Sequence, residues 1–254
     1  IDKQLSSRMR LPRHGVRMST NREIDARDAP QPATETRPWT GAHLAPLDGL
    51  RAIAIALVLL YHLTPGRNAD LGAQALLFKI ADLGWSGVDL FFVLSGFLIT
   101  GKLLEARAES APFQKFYTRR VLRIFPLYYL TLLFMFAVLP AVHGSVTRPS
   151  FSEQLPYWLY YSNFVEWESS IGGLVSIGHF WSLAVEEQFY LVWPAVVLIG
   201  GLGRSIRVCA LVVVLAPVAR LIAVLSGASW FVTYAWTPMR ADGLVVGALL
   251  ALGL

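Results

Sequence analysis

Arg51 and His62 interrupt one strongly apolar segment of the chain, and they are eleven positions apart. In an α-helix, at about 100° and 1.5 Å per residue, that spacing puts both on one face and about 16 Å apart along the axis. Charged and titratable side chains are costly inside a membrane, so the pair calls for a reason. Because imidazole titrates near neutral pH, the spacing predicts a chemical site in which His62 is the general base.

Arg119, Arg120 and Arg123 form a second group, at the three- and four-residue spacings that bring side chains together on a helix surface. The planar guanidinium group binds phosphate oxygens in pairs, so the cluster predicts a site for an anionic, phosphate-bearing molecule. The alternative is a basic anchor that touches lipid headgroups on the cytoplasmic side of a membrane.

Several other charged residues also fall within apolar segments. At membrane depth such charges normally face the bundle interior and pair with one another, so structural ion pairing is one reading of the whole set. Asp89 is predicted at the depth of His62, where its carboxylate would orient the imidazole; an ion pair with Arg220 or Arg240 is the alternative. Glu186 is counted with the catalytic candidates, although a solvated carboxylate is the alternative. The set comprises Asp89, Glu186, Glu187, Arg220, Arg240 and Asp242.

The elements that position these residues are long apolar blocks. Hydrophobic residues make up 55% of the chain and charged residues 15%, whereas a soluble domain has about 25% charged residues. The pattern predicts an all-α fold, a polytopic membrane helix bundle with about six transmembrane helices. No metal-ligand set is found in the sequence, and a single cysteine, Cys209, excludes an intrachain disulfide. The predicted spans are 46–63, 83–104, 121–142, 179–201, 208–225 and 234–254.

The distribution of lysine and arginine predicts the orientation of these spans. Segments 1–43, 101–123 and 202–207 are basic, whereas 64–82 and 143–178 are not, so the positive-inside rule places the N-terminus in the cytoplasm. Residues 1–43 lack apolar periodicity and are predicted to be a disordered cytoplasmic tail. The net charge of +5 is thereby explained by membrane orientation rather than nucleic-acid binding. We expect a multi-pass protein of the inner (plasma) membrane, with His62 near the outer face.

Taken together, four blocks in order resemble the acyltransferase 3 family of integral-membrane acyltransferases. Arg240-x-Asp242 before the last apolar block is also similar to that family. The resemblance covers residues 44–254, which are expected to be a membrane acyltransferase domain that is truncated at its C-terminus. The blocks are Leu47-Asp-Gly-Leu-Arg51 with His62, Phe91-Phe-Val-Leu-Ser95-Gly96-Phe, Arg119-Arg120-x-x-Arg123-Ile-x-Pro126, and Trp181-Ser-Leu-x-x-Glu186.

The resemblance implies transfer of an acyl group, usually acetyl, from cytoplasmic acyl-CoA to a hydroxyl of a carbohydrate or related acceptor. Arg51 and His62 would be the catalytic pair, and Arg119, Arg120 and Arg123 would hold the phosphates of CoA. Acyl-CoA would be a co-substrate, with no tightly bound cofactor. The expected partners are the lipid bilayer, the acyl-CoA donor and a glycosylated acceptor.

A transporter or exporter of an anionic or glycan-linked substrate is the alternative function, because the same charges could line a path through the bundle. Transporters commonly show internal repeats, and this sequence shows none. Turnover of acyl-CoA by the purified protein would discriminate between the two functions.

Overall fold

The computed structural model describes residues 45–63, 81–144, 147–166 and 177–253. Within those ranges every regular element is helical, which confirms the all-α prediction. The predicted tail, 1–43, lies outside the described residues. The helices are α1 (Ala45–Leu63), α2 (Ser86–Ala106), α3 (Pro112–Leu133), α4 (Phe151–Trp158), α5 (Phe180–Leu198), α6 (Gly201–Leu225), α7 (Trp230–Ala235) and α8 (Thr237–Gly253).

Four helical segments of the described chain are long and apolar enough to cross a membrane. α5 has the length, but Glu186 and Glu187 lower its apolar character, and α8 has 17 residues. A membrane helix bundle is therefore confirmed, whereas the number six stays a prediction. The four segments are Pro46–Leu63, Leu83–Ala106, Pro112–Val142 and Gly201–Leu225; the third includes a π-helical turn, Phe134–Val138.

Two connections are shorter than the sequence predicted. α2 ends at Ala106 and α3 begins at Pro112, so much of the basic segment 101–123 is helical rather than loop. The segment 202–207 was predicted to be a loop, and this is wrong, because α6 already begins at Gly201. Hydropathy marks where apolar residues begin, but a helix continues past that point as long as its backbone hydrogen bonds are satisfied.

Small residues set the spacing between α1 and α2 and between α2 and α8. A Cβ atom on Gly84 would collide with the carbonyl oxygen of Leu57 in α1. A Cβ on Gly96 would collide with the carbonyl oxygen of Leu244, and one on Gly247 with that of Val93. Glycine lets membrane helices approach to backbone contact.

The direction of packing follows from cross-helix contacts of α5. The hydroxyl of Tyr117 in α3 donates to the carbonyl oxygen of Leu191 at 2.8 Å, and Arg120 contacts Glu187, so α3 and α5 are antiparallel. Trp193 donates through Nε1 to Thr100 of α2 at 2.8 Å, and earlier along both helices Trp181 contacts Phe92, so α2 and α5 are parallel. These directions agree with spans that alternate along the chain.

A buried polar network fixes the segment before α5 to the bundle. The side chain of Asn163, fully buried, donates to the hydroxyl of Thr237 at 2.9 Å. Gln188 donates to Asn163 at 2.8 Å and accepts from Thr237, so the three side chains satisfy one another.

Upstream, α4 begins with a capping box in which Ser150 donates to Glu153, and this hydrogen bond holds the pKa of Glu153 below its usual range.

Candidate functional site

A cavity of about 130 Å³ lies where the end of α1 meets the beginnings of α2 and α5 and the short helix α7. The helix directions explain this meeting point, because α1 runs toward the end at which α2 and α5 start. His62 and His179 contribute imidazoles, and Trp85, Trp230 and Tyr234 contribute aromatic walls. The full lining is Val58, Tyr61, His62, Gly84, Trp85, Val88, Gly178, His179, Trp181, Ser182, Trp230 and Tyr234.

His62 lies in the last turn of α1 with its side chain exposed toward this cavity. Its Nδ1 is 2.8 Å from the carbonyl oxygen of Val58, one helical turn earlier. A carbonyl oxygen can only accept, so Nδ1 carries the proton and the neutral ring leaves Nε2 unprotonated. The backbone therefore fixes the tautomer in which Nε2 can act as a base.

His179 is a second imidazole in the cavity, and the sequence reasoning missed it. It is the residue before α5, and its ring centroid is 5.9 Å from that of His62 at an interplanar angle of 71°. The signal was available, because position 179 opens the predicted fourth span at the same face of the bundle as His62. His179 was overlooked because it lies at the boundary of a predicted span, where a polar residue is expected.

Arg51 lies near the other end of α1 and does not line the cavity. Its guanidinium carbon is 5.5 Å from the centroid of the Phe91 ring in α2. Arg51 thus faces α2, whereas His62 faces the cavity beside His179, about 16 Å away along the axis. This separation is the one that the sequence spacing predicts.

Asp89 forms an ion pair with Arg240, which was the alternative to orienting His62. Nδ1 of His62 contacts the carbonyl oxygen of Val58, one helical turn earlier, rather than the carboxylate of Asp89. Arg240 is buried, and its guanidinium carbon is 5.2 Å from the ring of Tyr234 and 5.7 Å from that of Trp181. Asp89 is therefore linked to the cavity wall indirectly, by its ion pair with Arg240.

Glu186 is buried in the bundle and does not line the cavity. Glu186 lies beside the buried Ser95 of α2, and neither its Oε1 nor Oγ of Ser95 makes a well-formed hydrogen bond within the described residues. Unsatisfied buried polar atoms are unusual and suit a site that a water molecule or ligand completes. Glu186 is accordingly an interior residue and not a solvated one.

The arginine cluster is divided by the structure. Nε of Arg120 is 3.3 Å from Oε1 of Glu187, and its guanidinium carbon lies 3.0 Å from the Tyr190 ring centroid, both within α5. Arg119 and Arg123 are exposed on α3. Two of the three predicted phosphate ligands are therefore accessible, while Arg120 ties α3 to α5.

A second charge pair joins α6 to α8 two residues farther along α8. Arg220 pairs with Asp242, whose other carboxylate oxygen accepts from the backbone N–H of Gly243 at 3.0 Å. Apart from Glu186, the charges of the predicted set therefore form ion pairs between helices. Among the described residues no group of three or more His, Cys, Asp or Glu side chains could hold a metal ion.

Comparison with known proteins gives a family and several relatives. The profile of a family described as an acyltransferase domain matches residues 44–253. YrhL of Bacillus subtilis is 33% identical over 221 residues, which cover 81% of this chain and 32% of YrhL. Peptidoglycan O-acetyltransferase OatA of Listeria monocytogenes is 33% identical over 172 residues, covering 65% of this chain and 26% of OatA.

O-acetyltransferase OatA of Staphylococcus aureus is 32% identical over 167 residues, which cover 63% of this chain and 25% of that protein. The chain thus spans between a quarter and a third of the length of these relatives. No solved structure matches it.

Proposed function

Since this chain belongs to the acyltransferase domain family, we propose that it acts as a membrane O-acetyltransferase that moves an acetyl group from acyl-CoA to a hydroxyl of a carbohydrate. Both OatA relatives carry O-acetyltransferase in their names, and one names peptidoglycan as its target. Peptidoglycan is a carbohydrate polymer with free hydroxyls, so a cell-wall glycan is the proposed class of acceptor.

The observation that carries this proposal is the contact between Nδ1 of His62 and the carbonyl oxygen of Val58. Val58 holds the Nδ1 proton, and Nε2 belongs to a ring that lines an open cavity. An acceptor hydroxyl must lose its proton to become a good nucleophile, and an imidazole with a free Nε2 is suited to take it near neutral pH. The proposed role of His62 is therefore general base toward the acceptor.

In the proposed reaction Nε2 of His62 first takes up a proton and then returns it. Nε2 of His62 takes the hydroxyl proton as the acceptor oxygen attacks the carbonyl carbon of the thioester. The tetrahedral intermediate collapses with cleavage of the carbon–sulfur bond, and the CoA thiolate receives the proton back from Nε2. The products are the acetate ester of the acceptor and free CoA.

The donor is proposed to bind at the arginines of α3, part-way along the bundle from the cavity. Arg120 is level with Glu187, which lies eight residues, or about 12 Å, farther along α5 than His179. The accessible guanidinium groups of Arg119 and Arg123, on the same part of α3, would bind the phosphates of CoA. The extended thioester arm of CoA can then reach toward the cavity.

The interior residues have supporting roles in this proposal. Arg51 and Glu186 lie away from the cavity lining, where they would meet the donor rather than the acceptor. Asp89 is a positioning residue, because it acts on the cavity wall through Arg240. In this proposal His62 acts on the acceptor, whereas Arg51 and Glu186 contact the donor.

The experiment is a turnover assay with the intact membrane protein in lipid nanodiscs and acetyl-CoA labelled in the acetyl group. The proposal expects labelled ester on an added oligosaccharide together with free CoA. Mass spectrometry of cell-wall glycan from cells with and without the full-length gene should show the same ester. Release of no CoA and formation of no ester, with a well-folded preparation, would refute the proposal and favour transport.

A further inference from the structure

Two indole rings from separate elements meet at the cavity that holds His62. Trp85 belongs to the 3-10 turn before α2 and its side chain is 46% exposed. Trp230 opens α7 and is 68% exposed. Large aromatic rings that remain this open while lining a concave site leave apolar area for a ligand.

Trp230 packs on a stack of aromatic rings that extends into the core. Its ring lies 4.6 Å from the ring of Tyr234 at 15°, and Tyr234 in turn packs at 4.9 Å on the buried Trp181. The guanidinium group of Arg240 lies against both Tyr234 and Trp181. The stack with Tyr234 and Trp181 gives the Trp230 ring a defined orientation at the cavity.

Polar groups stand beside these rings in the same cavity. The hydroxyl of Ser182 donates to the carbonyl oxygen of His179 at 3.0 Å, which leaves its oxygen lone pairs able to accept. The imidazoles of His62 and His179 complete the polar side. The cavity thus combines flat apolar walls with a few hydrogen-bonding atoms.

That combination matches one ring of a sugar. A pyranose has an apolar face of C–H bonds, which packs well on an indole, and a rim of hydroxyls, which need hydrogen-bond partners. We propose that Trp85, Trp230 and Ser182 form an acceptor subsite that binds one sugar ring and directs a hydroxyl toward Nε2 of His62. This inference rests on the proposed function and adds the residues that recognise the acceptor.

The test compares two acceptors in the nanodisc preparation of the intact protein. An N-acetylglucosamine trisaccharide offers ring faces, whereas glycerol offers hydroxyls without a ring. Acetyl transfer to each acceptor is measured for the wild type, Trp230→Ala and Trp230→Phe, together with hydrolysis of acetyl-CoA in the absence of any acceptor. Phe151→Ala is the matched control, because Phe151 is an exposed aromatic of α4 that does not line the cavity.

The subsite predicts that Trp230→Ala lowers kcat/KM for the trisaccharide about tenfold, the scale of one lost aromatic contact, and lowers glycerol transfer by a much smaller factor. Trp230→Phe should recover part of the loss, and Phe151→Ala should change nothing. An equal fall for both acceptors, or no fall for either, would overturn the subsite while leaving the proposed function standing. A wild-type protein that turns over no acetyl-CoA would instead remove the proposed function and the subsite with it.

Saturation-transfer NMR provides a second measurement that is independent of turnover. The trisaccharide should receive saturation at its ring C–H protons from the wild type, and this transfer should be strongly reduced with Trp85→Ala and Trp230→Ala. A signal that is the same for the wild type and both variants would overturn the subsite.

Discussion

Asp89 and Arg240 form an ion pair that joins the beginning of α2 to the beginning of α8. The two partners differ in exposure, because the side chain of Arg240 is 9% exposed and that of Asp89 is 43% exposed. The guanidinium group lies among aromatic rings that include Tyr234 of the cavity wall. The pair therefore neutralises a buried cation next to the proposed acceptor site.

The stability lost when a carboxylate is removed depends on how deeply its arginine partner is buried. Asp89→Asn leaves the Arg240 cation buried without compensation and should lower the free energy of unfolding by about 1–3 kcal/mol. Asp242→Asn is the matched change at the second pair, whose Arg220 is 31% exposed, and should cost less than about 1 kcal/mol. Thermal unfolding in detergent measures both. A larger loss for Asp242→Asn would contradict this account of the pair.

Gly96 and Gly247 are expected to be intolerant of any side chain. A Cβ at either position meets backbone of the facing helix, so Gly96→Ala and Gly247→Ala should each destabilise the protein by about 2 kcal/mol or more. Gly203→Ala on α6 is the control, since its Cβ would have nothing within 4 Å. Thermal unfolding and monodispersity in detergent check the prediction. Equal stability of Gly96→Ala and Gly203→Ala would show that α2 and α8 do not approach as closely.

The sequence predicted the helical class and most of the element ends because long apolar runs have a direct physical reading. It did not predict that α6 starts at Gly201 or that the arginines lie well inside α3, because hydropathy does not report where a helix extends beyond its apolar part. The sequence predicted that the intramembrane charges form ion pairs, but it did not predict the partner of each charge. Which acid meets Arg240 depends on the three-dimensional register of α2 and α8, which one sequence does not encode in any local pattern.

The same limit applies to the candidate site. His62 could be found from its helical spacing to Arg51, but the partner of its Nδ1 is a backbone carbonyl, which has no sequence signal. His179 and Trp230 join the cavity from segments distant in the chain. Residues that meet only through tertiary packing are the ones that sequence reasoning missed.

Arg123 tests the proposed donor site. Arg123→Lys keeps the charge but loses the planar fork that binds phosphate in pairs, so KM for acetyl-CoA should rise about threefold to tenfold with kcat little changed. Donor kinetics in nanodiscs measure this. Arg148→Lys, in the segment between α3 and α4, is the control and should not change KM. An unchanged KM for Arg123→Lys would indicate a lipid anchor instead.

Cysteine labelling tests the predicted orientation of the bundle. In a Cys209→Ala background, a cysteine at Ser150 should react with a membrane-impermeant reagent in intact cells, and one at Ser110 should react only after the membrane is opened. The reason is the basic character of segment 101–123 and its absence from 143–178. The reverse pattern would put the cavity on the cytoplasmic side.

The most direct test of the central claim is acetyl transfer by His62→Ala. Loss of a general base should lower kcat about 10²- to 10⁴-fold, with the protein still folded and inserted in the membrane. His143→Ala is the matched control, because His143 is an exposed imidazole after the third apolar segment and lies outside the cavity; it should retain activity. His143→Ala should form the ester and His62→Ala almost none, whereas near-normal turnover by a folded His62→Ala protein would rule out His62 as the general base.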